Sequence, residues 1–416
     1  MNLIKYKILL LIPILSFWFL TSCGLINEDV PELDSEEKAI LVLRVNKIAS
    51  STRTADDESE SIHQNIEEKI NSLRIIIINE NNLIEVNQYV SENLLDASSD
   101  NIYTLIATVS PGQKNFFILA NEAEVTGFSS NTNPGNSSLT EILDSYKNKL
   151  LNGAELTEFL NSVSFSSDYR IADNSIALPY SSFYTMYLEA GKKYEKPMYL
   201  VPAATKYTVN ISNSRKDAVL IKDLYINSIA NQNYLMPHVE PDNYYMDGRY
   251  WIDWLADVSE QSHDNLEFEN NQQFNDAWGW ITDYQLPEKV QHSPFNLLTE
   301  EGIRVDAQSN PETGGEPVPG SLSLPVFYEP ESKNLTSNGK NLIVQNYSIK
   351  MTVQADGSEE EVTLTRTLSN VKALFRNTHL ILNIEFSEGY MHVYGEIIPW
   401  TVLETVNGYV TEETEQ

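Results

Sequence analysis

One cysteine, Cys23, stands in a chain of 416 residues. No disulfide can staple this protein from within, so its stability must come from packing. Positive charge is also scarce, with 28 Lys and Arg against 59 Asp and Glu and a net charge of −31. Such a surface repels phosphate backbones and anionic headgroups, which excludes nucleic acid as a partner. The histidines at 63, 238, 263, 292, 379 and 392 are scattered. None forms an i, i+4 pair, so no metal or cofactor is expected. A phosphate-binding glycine loop, a Gly-x-Ser-x-Gly elbow and a second thiol are all missing, which leaves no nucleophile in a recognisable setting. Beyond the first twenty residues no run is apolar enough to span a bilayer. No 20–50-residue repeat announces a solenoid or propeller.

What is present begins at the N-terminus. Lys5 and Lys7 precede an apolar stretch from Ile8 to Leu20, and Thr21-Ser22-Cys23 follows. This is a secretion signal, too short for a spanning helix. Its end resembles a lipobox, in which signal peptidase II cuts between Ser22 and Cys23 and the sulfur carries a lipid. Removing the signal takes away two lysines and no acid, giving a mature charge near −33 (−31 − 2). Residues 1–22 are thus the expected signal peptide, and the polar stretch that follows Cys23 is a tether.

Aromatic residues make up 10% of the chain, with 22 tyrosines, a composition that suits a folded β-rich protein. Ala39 to Asn46 reads as a strand with Leu41, Leu43 and Val45 on one face. A soft polar segment containing Arg53 comes next, the kind of loop that proteases cut. Further strands are expected at Leu73–Ile78, where four isoleucines suggest burial on both faces, and at Tyr103–Val109 and Asn115–Asn121. Ser138 and Glu141 are spaced as a capping box, which predicts a helix running to Leu151 with Gly153 as its stop. A second helical turn is expected near Glu155–Asn161. Strands resume at Pro197–Val201, Lys206–Ile211 and Ala218–Asn227. Asp356-Gly357 reads as the turn of a hairpin between Leu342–Val353 and Glu361–Leu368. Leu380–Phe386, Met391–Ile398 and Thr401–Val410 complete the set. The picture is mainly β, with two β-sandwich-like domains.

The segment 243–284 holds Trp251, Trp254, Trp278 and Trp280, with Asp253 and Asp257 close by. Carboxylates among tryptophans can form a glycosidase subsite, but acids are abundant here and Trp251 and Trp254 also share a helical face. Glycan contact by Trp251 and Trp254 is the alternative to catalysis, and the chain is expected not to be an enzyme.

Several segments, taken in order, resemble the fimbrillins, the subunits of type V fimbriae of Bacteroidales. They are the lipobox at Cys23, the first strand ending in Ser51-Thr52-Arg53, Leu73–Asn79 and Phe116–Asn121. Val326–Glu331, Phe375–His379 and Ile397–Trp400 continue the match. The acids Glu28 and Asp29, close behind Cys23, also resemble the surface-export signals of Bacteroidales lipoproteins.

The resemblance implies two tandem transthyretin-like, Greek-key β-sandwich domains, with one or two short helices in the N-terminal one. The implied divisions are 23–53 (tether and removable first strand), 54–193 and 194–416. It implies a lipoprotein of the outer membrane and cell surface that is cut between Arg53 and Thr54. The first strand then leaves, and a donor strand from another subunit fills its place. The donor is expected in 401–410, with Val402, Val406 and Val410 apolar at even spacing. The partners would be other fimbrial subunits, in a homo- or hetero-polymer contributing to adhesion, and the membrane through lipidated Cys23. A lipid-retained anchor, a tip adhesin and a surface glycan-binding lipoprotein are the alternatives. Without the resemblance, Arg53 is a solvated loop residue and 401–410 an ordinary edge strand.

Overall fold

The computed structural model describes residues 38–47, 69–95, 101–131, 135–165, 169–170, 177–237, 245–246, 249–250, 292–298, 302–310, 315–332, 336–337, 342–343, 347–369, 371, 374, 376–388 and 390–399. They form a mainly β structure. Seven strands make the first body: β1 (Ala39–Lys47), β2 (Ser72–Asn79), β3 (Ile84–Ser91), β4 (Asn101–Val109), β5 (Gly112–Ala120), β6 (Tyr180–Leu188) and β7 (Lys193–Pro202). Their order is β3-β2-β5-β6-β7-β1-β4. Between β6 and β7 only Tyr180↔Pro202 and Ser181↔Val201 are in register. There the path bends, and β7-β1-β4 packs over β3-β2-β5-β6 as a sandwich.

The isoleucine run shows why the layers stack. Successive strand side chains point to opposite faces. Ile75 and Ile77 enter the core shared with β1. Ile76 and Ile78 enter a second core on the other face, roofed by α1 (Leu139–Ser145) and α2 (Gly153–Ser162). The expected burial on both faces is what the structure shows.

The helices correct one expectation. The Ser138–Glu141 capping box forms, with both reciprocal hydrogen bonds present. The helix stops at Ser145 rather than Leu151, and Gly153 opens α2 instead of ending α1. Gly153 donates its N–H to Asn82 O at 2.9 Å. A Cβ there would lie 2.4 Å from that same oxygen. The glycine is required for close backbone approach, which mimics a helix-stop signal in sequence.

The second body is another sandwich. One layer runs from β8 (Thr205–Asn213) to β11 (Gly320–Ser323), β12 (Phe327–Glu329), β15 (Thr378–Ser387) and β16 (Tyr390–Pro399). β15 lies between β8 and β16, while β8 also pairs β11 and β12. The other layer has the order β10 (His292–Asn296), β9 (Val219–Ala230), β13 (Ser348–Ala355), β14 (Glu361–Thr367). Alternate residues of both layers, such as Val209, Ile221, Met351 and Leu382, meet in one core. The hairpin at Asp356-Gly357 is present, with Gly357 at φ +78° as its left-handed residue. β7 belongs by its ladder to β1 and β6, so a division after residue 193 would part it from its sheet. We place the division at Ala203–Ala204, both buried, where β7 has ended and β8 begins.

Candidate functional site

β1 is the strand that the sequence singles out, and its setting defines a slot. On one side it runs antiparallel to β4, from Ala39↔Val109 to Asn46↔Asn101. On the other it runs parallel to β7, from Ile40↔Lys193 to Lys47↔Leu200. Ala39, Leu41, Leu43 and Val45 are each 0% exposed and face the shared core. Ile40 and Val42, on the opposite face, are buried as well. Arg44 alone among residues 39–45 is exposed, and it pairs with Glu195 of β7.

These contacts make β1 thermodynamically valuable and topologically separable. Full burial of each Leu or Val side chain stabilises by about 1.5–3 kcal/mol. Yet β1 joins the rest of the sandwich only through residues 48–68, the segment that contains Arg53. Among the described residues, β1 is the only ladder partner of β4. Taking β1 away would open two rows of backbone N–H and C=O groups, on β4 and β7, above an apolar floor. Such edges are templates for another strand.

Ser22, Cys23, Arg53, Thr54, Trp251, Trp254, Val402, Val406 and Val410 lie outside the described residues. Of the tryptophan-bearing segment, only the pairing of Tyr245–Met246 with Arg249–Tyr250 is described. Three of the scattered histidines fall in described strands, and His292 opens β10 opposite Ala230. His379 shares a 2.8 Å hydrogen bond with Thr208, and burial first, then Lys206, pushes its pKa down to about 3. His392 stacks edge-on with Tyr390 at 5.0 Å between ring centroids. Among the described residues, no group of His, Cys, Asp and Glu is placed to hold a metal ion, and no helix is long and apolar enough to cross a membrane.

Sequence reasoning missed β3 and β6, and with them the neighbours that complete the first sandwich. The period-2 signal is diluted in β3 by Asn87, Gln88 and Tyr89, and in β6 by adjacent serines. Ser181 and Ser182 are nevertheless fully buried, with their hydroxyls donating to Leu235 O and Tyr199 O. A concavity of about 310 Å³ lies between β14 and the β15–β16 turn, over Phe386 and Met391 and flanked by Arg215 and Arg366.

No family model matches the chain, and no curated protein does. Solved structures to which it is similar include the tip fimbrial protein Mfa3 from Porphyromonas gingivalis with C-terminal truncation. That pair shares 13% identity over 87% of this chain and 100% of that one, with a TM-score of 0.47. A protein of Parabacteroides distasonis proposed to act in cell adhesion shares 11% identity over 89% and 99%, with a TM-score of 0.46. A fimbrial assembly protein of the same species shares 8% identity over 87% and 98%, with a TM-score of 0.37.

Proposed function

We propose that this chain is a structural subunit of a cell-surface fimbria and not an enzyme. It is exported as a lipoprotein through Cys23, then freed by a cut between Arg53 and Thr54. The observation that carries the reading is β1: a strand buried on both faces, held between two ladders, and joined to its sandwich only through the segment containing Arg53. The sequence resemblance to fimbrillins supplies the assembly step. A strand from a neighbouring subunit takes the place of β1 by β-augmentation, restoring both ladders and reburying the core. A head-to-tail contact of this kind does not close on itself and extends into a filament. The segment 401–410 is the part of this chain that would donate to a neighbour.

Uncut, the same protein is a lipid-retained anchor. The N-terminal residue on native cells separates the two roles: Thr54 for a polymerising subunit, acylated Cys23 for an anchor. Arg53→Ala should leave the longer, lipidated monomer and abolish the high-mass ladder on unboiled gels. An unchanged ladder would rule out processing at Arg53.

A further inference from the structure

We infer that the β1 slot is built for a strand from a different subunit and rejects this chain's own segment 401–410. The inference rests on the reading of β1 as an exchangeable strand. Its basis is the burial pattern of the slot, which is a list of what an occupant must supply. Seven consecutive positions, 39 to 45, read buried except the sixth, where Arg44 stands. Four alternate positions face the core at 0% exposure, and Ile40 and Val42 are buried on the other face. The occupant must therefore be apolar at six of seven places.

The tail does not meet this pattern. Val402, Val406 and Val410 share a face with Glu404 and Gly408 when the segment is extended. Sliding it through the slot in the direction of β1, the five registers that begin at 400 to 404 place Glu404 where Leu43, Val42, Leu41, Ile40 or Ala39 stands. Each buries an unpaired carboxylate, which is among the costliest substitutions a core can suffer. Registers beginning at 405 and 406 bury Asn407 instead. Running the segment the other way buries Glu404, Asn407 or Glu412.

Of the registers that keep at least five residues of 401–410 in the slot, one remains, beginning at Pro399. It sets Val402 on Val42, Leu403 on Leu43 and Glu404 on the exposed place of Arg44. Thr401 then replaces Leu41 and Thr405 replaces Val45, both at positions of 0% exposure. Each threonine gives up apolar volume and brings a hydroxyl into the core. Trp400 would have to fit where Ile40 is 4% exposed. At the one open position the charge is also reversed. Arg44 pairs with Glu195, whereas Glu404 would face that carboxylate as a like charge. That last term is small because both groups are about half exposed. The core positions carry the discrimination.

The fitting occupant is a strand of another protein with apolar residues at four alternate positions and at the two between the first three. A basic residue should stand sixth, opposite Glu195.

The test uses the full chain cut after Arg53, with β1 still seated and labelled. Competing peptides are added: residues 38–48, residues 399–410, and 399–410 carrying Thr401→Leu, Glu404→Arg and Thr405→Val. The 38–48 peptide and the triply changed peptide should displace the label, and the native tail should do so at least about tenfold less readily. Displacement by the native tail as readily as by 38–48 would overturn the inference while leaving strand exchange intact. Failure of every peptide, 38–48 included, would overturn strand exchange itself and the inference with it.

Discussion

Arg74 and Arg376 are both fully buried, and each is paired with a buried carboxylate. Arg74 holds Glu122 with two bonds of 2.7 Å and reaches Asp144 at 2.9 Å. Burial lowers its pKa, but Glu122 and Asp144 more than compensate, so the guanidinium stays charged. His379 takes the opposite course and is neutral. Its folded pKa of about 3 lies below its ordinary 6.5, so the unfolded chain takes up a proton that the folded state refuses. Stability is therefore lost as pH falls from about 6.5 toward about 3. Between pH 7 and pH 5 this one group should remove about 2 kcal/mol. Urea unfolding of His379→Gln should show that part of the acid sensitivity gone. An identical pH dependence in the variant would refute the assignment.

At the scale of elements, β1 and β4 stand or fall together. β4 has no other ladder partner among the described residues, while β2 and β5 are paired on both sides. Leu43→Ala empties a fully buried place on β1 and should cost about 2–5 kcal/mol. The loss should be local. Hydrogen exchange should quicken through β4 by more than about tenfold, with β2 and β5 changing far less. Uniform loosening of all four strands would show that the slot does not open separately. This dependence could not be read from the chain. The strand character of 39–46 is plain in its alternation, but its neighbours are residues 101–109 and 193–202. Pairing over such sequence distances is set by which apolar faces meet. Gly153 was misleading for a similar reason, since its purpose is contact with Asn82, about seventy residues earlier.

Across the whole molecule, Arg376 ties the two sandwiches together. It holds Glu331 at 2.8 Å and donates to Tyr234 O at 2.8 Å, Leu235 O at 3.2 Å and Ser181 Oγ at 3.1 Å. Ser181 belongs to β6 of the first body, whereas Arg376 precedes β15 of the second. Nearby, Asn377 donates its N–H to Ala204 O at 3.0 Å, where the chain crosses between them. Removing one partner of a buried ion pair typically costs about 3–5 kcal/mol. Arg376→Gln should thus lower the unfolding midpoint and split a joint transition into two, followed by calorimetry. A single transition at an unchanged midpoint would show that the junction does not couple the bodies.

The sequence by itself determined the local grammar: strands where apolar residues alternate, the Ser138 cap and the Asp356-Gly357 turn. Each depends on residues within a few places of one another, where covalent geometry and side-chain period leave little choice. It also determined the charge and the composition of the tail, and so what that tail can bury. Only the tertiary structure decided that residues 39–45 fill a slot with one open position, that β4 leans on β1, and that Arg376 bridges two bodies. Those facts arise from burial shared among segments far apart in the chain, and burial is a property of the assembled core.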